Sequence, residues 1–127
     1  MIYLDNAATT GRKPLSVIKA VNWALTEMSA NPGRGGHKLS IKASESIFKT
    51  RQKVAEMFGA SSEERVIFTP SCTASLNIVL KGILGRGDGI IISSLEHNAV
   101  TRPVETLKKQ GIEVTVAEVI FGDYDAT

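Results

Sequence analysis

A strand, a hydroxyl-rich turn and a helix in the middle of the chain constrain its fold more than any other feature. Arg65-Val66-Ile67-Phe68-Thr69 is a short β-branched and aromatic run. Pro70-Ser71-Cys72-Thr73-Ala74-Ser75 follows as a turn, and Leu76, Val79, Leu80 and Ile83 then recur at helical spacing. The alternation continues with a strand near Ile90–Ser93, a helix near Arg102–Gln110 that Gly111 ends, and a strand near Glu113–Val119. Strands separated by single helices call for right-handed βαβ crossovers, so the expected class is α/β with a mainly parallel sheet. A helix that opens at a strand end presents unpaired backbone N–H groups and a positive dipole end, which suits a phosphate. The hydroxyls of Ser71, Thr73 and Ser75 add donors there. They also read as an ordinary N-cap cluster, and the same N–H groups serve both roles. Ser93-Ser94-Leu95-Glu96-His97-Asn98 marks the end of the next strand, so an anion pocket and a histidine are expected at neighbouring strand ends, where open parallel sheets bind ligands.

The first half of the chain is different. Ile2-Tyr3-Leu4 is a short extended arm, and Asp5-Asn6-Ala7-Ala8-Thr9-Thr10-Gly11 is a loop of small and polar residues. Pro14 suits a helix start, and Leu15, Ile18, Val21, Leu25 and Met28 keep helical spacing after it. Ala30-Asn31-Pro32-Gly33-Arg34-Gly35-Gly36 breaks that helix. A second helix is expected to carry Ile47, Val54 and Phe58 inward and to end at Gly59. This organisation predicts an N-terminal arm and helices over residues 1–59, and the opening βαβαβ of a larger sheet domain over residues 60–127. Gly85-Arg86-Gly87-Asp88-Gly89 matches neither a P-loop nor a dinucleotide fingerprint and reads as a tight helix-to-strand turn. Phe121-Gly122-Asp123-Tyr124-Asp125-Ala126-Thr127 is turn-like without a closing element, so the chain reads as the N-terminal part of something larger.

Composition removes several classes of function. With 43% hydrophobic and 22% charged residues and a net charge of +2, the chain fits an ordinary globular protein. Its basic residues are dispersed, which argues against a nucleic-acid surface. No apolar run approaches a membrane span, and the N-terminus lacks the basic and apolar regions of a signal peptide. A single cysteine forms no internal disulfide, and the expected compartment is the cytoplasm. Two histidines and one cysteine, far apart, offer no metal-site spacing.

Four segments, in order, resemble the fold-type I, class V aminotransferase family of pyridoxal-phosphate enzymes, and its cysteine desulfurase branch in particular. They are Tyr3-Leu4-Asp5-Asn6-Ala7-Ala8-Thr9-Thr10, Asn31-Pro32-Gly33-Arg34-Gly35-Gly36-His37, Phe68-Thr69-Pro70-Ser71-Cys72-Thr73-Ala74-Ser75-Leu76-Asn77 and Glu96-His97-Asn98-Ala99-Val100. The resemblance implies the large domain of a fold-type I transferase. It implies pyridoxal 5′-phosphate as cofactor, with Thr73 and the backbone N–H groups around Cys72 and Thr73 on its phosphate. It further implies that His97 stacks on the pyridine ring and serves in proton transfer. Asn6, Ala7 and Ala8 are implied near the substrate. The implied reaction removes sulfur from L-cysteine, leaving alanine and an enzyme persulfide. A homodimer and a sulfur-acceptor protein are implied as partners. The family's cofactor-linking lysine, pyridinium-pairing aspartate, persulfide cysteine and carboxylate-binding arginine lie beyond Thr127, so the segment alone is expected to be inactive.

The phosphate turn departs from the branch pattern. Cys72 stands where a small Ala or Thr is usual, Ala74 where Glu is common, and Leu76 where relatives are often polar. Cys72 sits near a helix start, where a thiol pKa falls, yet a thiolate would compete with a phosphate there, so a packing role is the expected one. His37-Lys38 mimics the family's His-Lys pair, but it precedes the phosphate turn, so Lys38 is expected to be an exposed helix residue. Another class V aminotransferase or a selenocysteine lyase shares the same cradle. A non-catalytic α/β interaction fragment is the competing reading from a different class.

Overall fold

The computed structural model describes residues 2–119. Its elements are α1 (Leu15–Glu27), α2 (Lys38–Phe58), a 3-10 turn (Glu63–Arg65), α3 (Cys72–Ile83), β1 (Gly89–Ser93), α4 (Asn98–Lys108) and β2 (Glu113–Ala117). They fall into two compact units that divide after Ile67.

In the first unit the N-terminal loop folds on itself. The Tyr3 hydroxyl donates to the Thr9 carbonyl at 2.9 Å, and the Tyr3 ring lies over Gly11 so closely that a Cβ there would come within 2.7 Å of it. Pro14 precedes α1, fixing φ for helix entry without a side-chain cap. α1 buries none of its residues, and Lys42 of α2 places its Nζ 4.9 Å from the Trp23 ring centre, a cation–π contact between the two helices. α2 starts at His37, whose Nδ1 accepts the Ser40 N–H at 3.4 Å while Ser40 Oγ donates to the His37 carbonyl at 2.8 Å. Lys38 is the exposed first residue of α2, as its sequence position implied. The helix ends at Gly59 in the left-handed region (φ 65°), and Ala60 N–H reaches back to the Ala55 carbonyl at 2.9 Å.

The inward face of α2 is not the one expected. Ser40, Ala43 and Ala55 are buried, whereas Ile47 and Phe58 are exposed, Phe58 at 76%, and Val54 is half-buried. Two neighbours decide this. The Asn31–Gly36 loop is drawn onto α2 by the Ser44 hydroxyl, which donates to the Pro32 carbonyl at 2.9 Å, and the 3-10 turn packs on α2 near its end. Close backbone approach favours small side chains. Among the described residues nothing forms a layer over Phe58.

The second unit is a β1-α4-β2 unit with α3 packed on α4. β1 and β2 pair in parallel, in the register Ile90↔Val114 and Ile92↔Val116, as the strand–helix–strand alternation required. Ile90 and Ile92 are half-buried while Ile91 is 74% exposed, so one face of this two-stranded sheet is covered. The core lies under α4: Ala99, Pro103, Val104 and Leu107 share one helical face and are buried, together with Ile112.

Two expectations need correction here. Val66–Thr69 is not a strand. Val66 has extended dihedrals (φ −97°, ψ 114°), but the segment has no ladder partner among the described residues, and Ile67 and Phe68 stay 75% and 52% exposed. β-branched residues set the conformation; a strand also needs a neighbour to take its hydrogen bonds. The observed order is therefore helix–strand–helix–strand, short of the full βαβαβ. The second correction concerns α4, which starts at Asn98 rather than near Arg102. His97 supplies the cap, so Pro103 falls inside the helix, where it leaves the Ala99 carbonyl without its usual N–H partner. β2 closes at Ala117, and the Phe121–Thr127 turn expected from sequence lies outside the described residues.

The turn that returns α4 to β2 depends on Gly111, at φ 95°. Its N–H donates to Lys108 O at 3.1 Å, its carbonyl accepts Gly87 N–H at 3.1 Å, and a Cβ would lie 3.1 Å from Arg86 Cγ. Gly87 itself has φ 93°, and the Asp88 carboxylate accepts Gly85 N–H at 2.8 Å, which makes the glycine-rich segment the tight turn its sequence indicated. Gly111→Ala should lower stability by about 1–3 kcal/mol, because the alanine is held in a sparsely populated backbone region. Urea denaturation followed by circular dichroism measures the loss.

Candidate functional site in the groove between α3 and α4

The start of α3 is built from hydroxyls that are mostly spent on the backbone. Ser71 is extended (φ −163°, ψ 160°) and its Oγ accepts Ala74 N–H at 3.1 Å. Thr69 Oγ1 donates to the Ser71 carbonyl at 2.9 Å and shares a 2.5 Å hydrogen bond with Ser75 Oγ. Ser75 N–H is taken by the Ser71 carbonyl at 3.1 Å. Ser71 and Ser75 are thus cap residues. What remains without a partner among the described residues is the set at the next two positions: the N–H groups of Cys72 and Thr73 and the Thr73 hydroxyl. Asn77 holds this turn from below, donating from Nδ2 to the Thr73 carbonyl at 3.0 Å.

His97 arrives from β1. Ser94 N–H donates to the Ala117 carbonyl at 2.9 Å, and Ser93 Oγ donates to Glu96 at 2.9 Å, which orders the strand end. His97 then caps α4: its Nδ1 accepts Ala99 N–H at 3.1 Å, and its carbonyl takes Val100 and Thr101 N–H at 2.8 and 3.2 Å. With Nδ1 accepting, the neutral ring carries its proton on Nε2, and the cap sets the ring's orientation. The ring itself is exposed.

Thr73 and His97 face one open groove of about 480 Å³. One wall is the stripe Thr73, Asn77 and Lys81, each one helical turn from the last on α3; the other comes from α4 and includes Arg102 and Thr106. Among the described residues no carboxylate lines the groove, and its charged lining is Lys81 and Arg102, with the N-terminal ends of two helices beside them. Sequence reasoning missed Asn77, Lys81, Arg102 and Thr106. The four-residue spacing of Thr73, Asn77 and Lys81 along an otherwise apolar helix was the available signal. The other wall appears only when α4 is laid beside α3.

Cys72 is a free, exposed thiol one residue from Thr73, and it is not among the residues that line the groove. Asn6, Ala7 and Ala8 lie in the N-terminal turn of the first unit. There the Asn6 side chain is engaged locally, donating from Nδ2 to the Tyr3 carbonyl and accepting Gly11 N–H through Oδ1, both at 3.3 Å. No cluster of metal-ligating side chains forms among the described residues, and no described helix is long and apolar enough to cross a membrane.

The family model for aminotransferase class-V matches residues 2–125. A probable cysteine desulfurase from Methanothermobacter thermautotrophicus is 36% identical over 122 residues, which are 95% of this chain and 30% of that protein. The cysteine desulfurase IscS of Pseudomonas aeruginosa is 35% identical over 92% of the chain and 30% of its own length. Among solved structures, the apo cysteine desulfurase of Thermococcus onnurineus superposes with a TM-score of 0.79 at 34% identity, over 93% of this chain and 30% of that one. The cysteine desulfurase CsdA of Escherichia coli gives a TM-score of 0.68 at 27% identity, over 94% and 31%. The chain thus spans about a third of the length of the relatives it matches.

Proposed function

This chain belongs to the aminotransferase class-V family, and on that premise we propose that it supplies the phosphate cradle of a pyridoxal 5′-phosphate-dependent cysteine desulfurase. The proposed reaction takes sulfur from L-cysteine, leaving alanine and an enzyme-bound persulfide. The observation that carries this reading is the donor set left over at the start of α3. Among the described residues Cys72 N–H, Thr73 N–H and the Thr73 hydroxyl have no partner, while Ser71, Thr69 and Ser75 are engaged in capping. A phosphate monoester needs several donors and a positive field; among the described residues the groove is lined by Thr73, Lys81 and Arg102 and by no carboxylate.

The residues present fit the cofactor. Thr73 and its N–H neighbours hold the phosphate, and Lys81 and Arg102 keep the groove positive from further down the helices. The His97 ring, fixed by its cap to Ala99, offers a flat partner for a conjugated ring and a proton at Nε2. Pyridoxal phosphate, when bound, supplies the electron sink for the chemistry at the substrate carbon. A homodimer, a sulfur-acceptor protein, a site for substrate beside Asn6, Ala7 and Ala8, and a cytoplasmic location complete the proposal.

Binding of 4-deoxypyridoxine 5′-phosphate tests it, because this analogue lacks the aldehyde and cannot condense with surface lysines. The 127-residue chain should bind it at least about tenfold more tightly than unphosphorylated 4-deoxypyridoxine, since hydrogen bonds to a charged group contribute about 1.5–3 kcal/mol each. With pyridoxal phosphate and cysteine, the same chain should release no sulfide above the free-cofactor background. Equal affinity for the two analogues, or no binding of either, would favour an α/β interaction module over a cofactor cradle.

A further inference from the structure

Asn77 stands in the middle of α3 between Leu76 and Ile78, although asparagine is among the weaker helix formers. It is half-buried and lines the α3–α4 groove one helical turn from Thr73. Its side chain is committed, because Nδ2 donates to the Thr73 carbonyl at 3.0 Å. A carbonyl inside an α-helix already has a backbone partner four residues on, so the amide is a second donor to the same oxygen. That oxygen belongs to Thr73, whose N–H and hydroxyl are without a partner among the described residues. The bond ties down the carbonyl side of Thr73 in a first helical turn, where helices fray. It also covers a lone pair on a carbonyl beside the donors, and an uncovered carbonyl repels an anion. Ser71 acts with the opposite sign. Its hydroxyl occupies Ala74 N–H, so losing Ser71 Oγ uncovers a donor, whereas losing the Asn77 amide uncovers an acceptor.

We propose that Asn77 is a positioning residue of the phosphate cradle. Acting through the Thr73 carbonyl, it sets how strongly the groove prefers a phosphorylated ligand, a role that rests on the reading of the groove as a phosphate cradle.

Other helices of this chain show what can replace the amide. Thr26 donates to the Asn22 carbonyl at 3.1 Å, Thr50 to Ser46 at 2.8 Å and Thr106 to Arg102 at 3.2 Å, each reaching four residues back. Asn77→Thr therefore returns a donor to the Thr73 carbonyl, while its isostere Asn77→Val has none. The readout is the ratio of the chain's affinities for 4-deoxypyridoxine 5′-phosphate and unphosphorylated 4-deoxypyridoxine. Asn77→Val should lower the ratio about threefold or more, and Asn77→Thr should stay within about twofold of wild type. Asn77→Ala also lacks the donor but is a better helix former, so it gives the same answer if Asn77→Val folds poorly. A merely structural role would move the urea midpoint or both affinities together and leave the ratio alone. The proposal is overturned if Asn77→Ala and Asn77→Val keep the wild-type ratio, or if Asn77→Thr loses it as fully as they do. If Thr73→Ala lowers the ratio and the donorless Asn77 variants do not, the cradle stands and the role of Asn77 falls. If the wild-type chain shows no preference for the phosphorylated analogue, the cradle itself falls and the role falls with it.

Discussion

Leu107→Ala should lower the stability of the second unit by about 2–5 kcal/mol, the range for truncating a buried leucine. Leu107 is 3% exposed, on the α4 face that also buries Val104 and Pro103, and its carbonyl accepts Gln110 N–H at 2.9 Å and Ile112 N–H at 3.3 Å. α4 packs on both α3 and β2, so the cavity left by the missing side chain lies where the packing of the unit converges. Amide exchange at Ile90, Ile92, Val114 and Val116 should accelerate, and the urea midpoint followed by circular dichroism should fall. Val79→Ala removes a side chain that is 51% exposed and should cost under about 1 kcal/mol. Equal effects of the two substitutions would mean that the core is not under α4.

That core was only partly visible in the sequence. Apolar spacing located α1, α2 and α3 because helical periodicity is a local property, and alternation with helices placed β1 and β2 and made them parallel. The start of α4 was hidden because Pro103 and Arg102 mark a plausible helix entry on their own, whereas the real cap is a side-chain hydrogen bond from His97 that residue identity alone does not announce. Val66–Thr69 shows the opposite failure. Its residues favour extended backbone, but pairing is a tertiary matter, and among the described residues nothing pairs with it. Phe58 is similar: periodicity says which residues share a face, and only a neighbouring layer decides which face is buried.

The candidate site divides along the same line. Thr73 and His97 were legible as ends of elements, since a hydroxyl after an N-cap and a histidine after a strand are sequence events. That they line one groove with Lys81 and Arg102 depends on two helices lying side by side, which no window on the chain contains. The structure also shows what the histidines do locally. His37 and His97 both cap helices through Nδ1, so a structural role for His97 is present whatever binds beside it.

That double role makes the most discriminating substitution at the groove a pair rather than a single change. Thr73→Ala should weaken binding of 4-deoxypyridoxine 5′-phosphate about tenfold or more and leave the unphosphorylated analogue unaffected, because the lost hydroxyl serves the phosphate alone. Ser71→Ala should do the reverse of this to the protein. It removes the bond to Ala74 N–H, costing about 0.5–2 kcal/mol of stability, with little change in which analogue is preferred. His97→Ala should lose a cap and a ring together, so a drop in affinity from that variant alone would be ambiguous. His97→Asn separates the two, since asparagine caps helices as well as any residue but offers no aromatic face. It should keep wild-type stability and lose affinity for both analogues to a similar degree, because the ring they share is what the imidazole faces. If His97→Asn bound both analogues like wild type, His97 would be a cap and nothing more. The groove would then be a phosphate site without a ring platform, whatever Thr73→Ala showed.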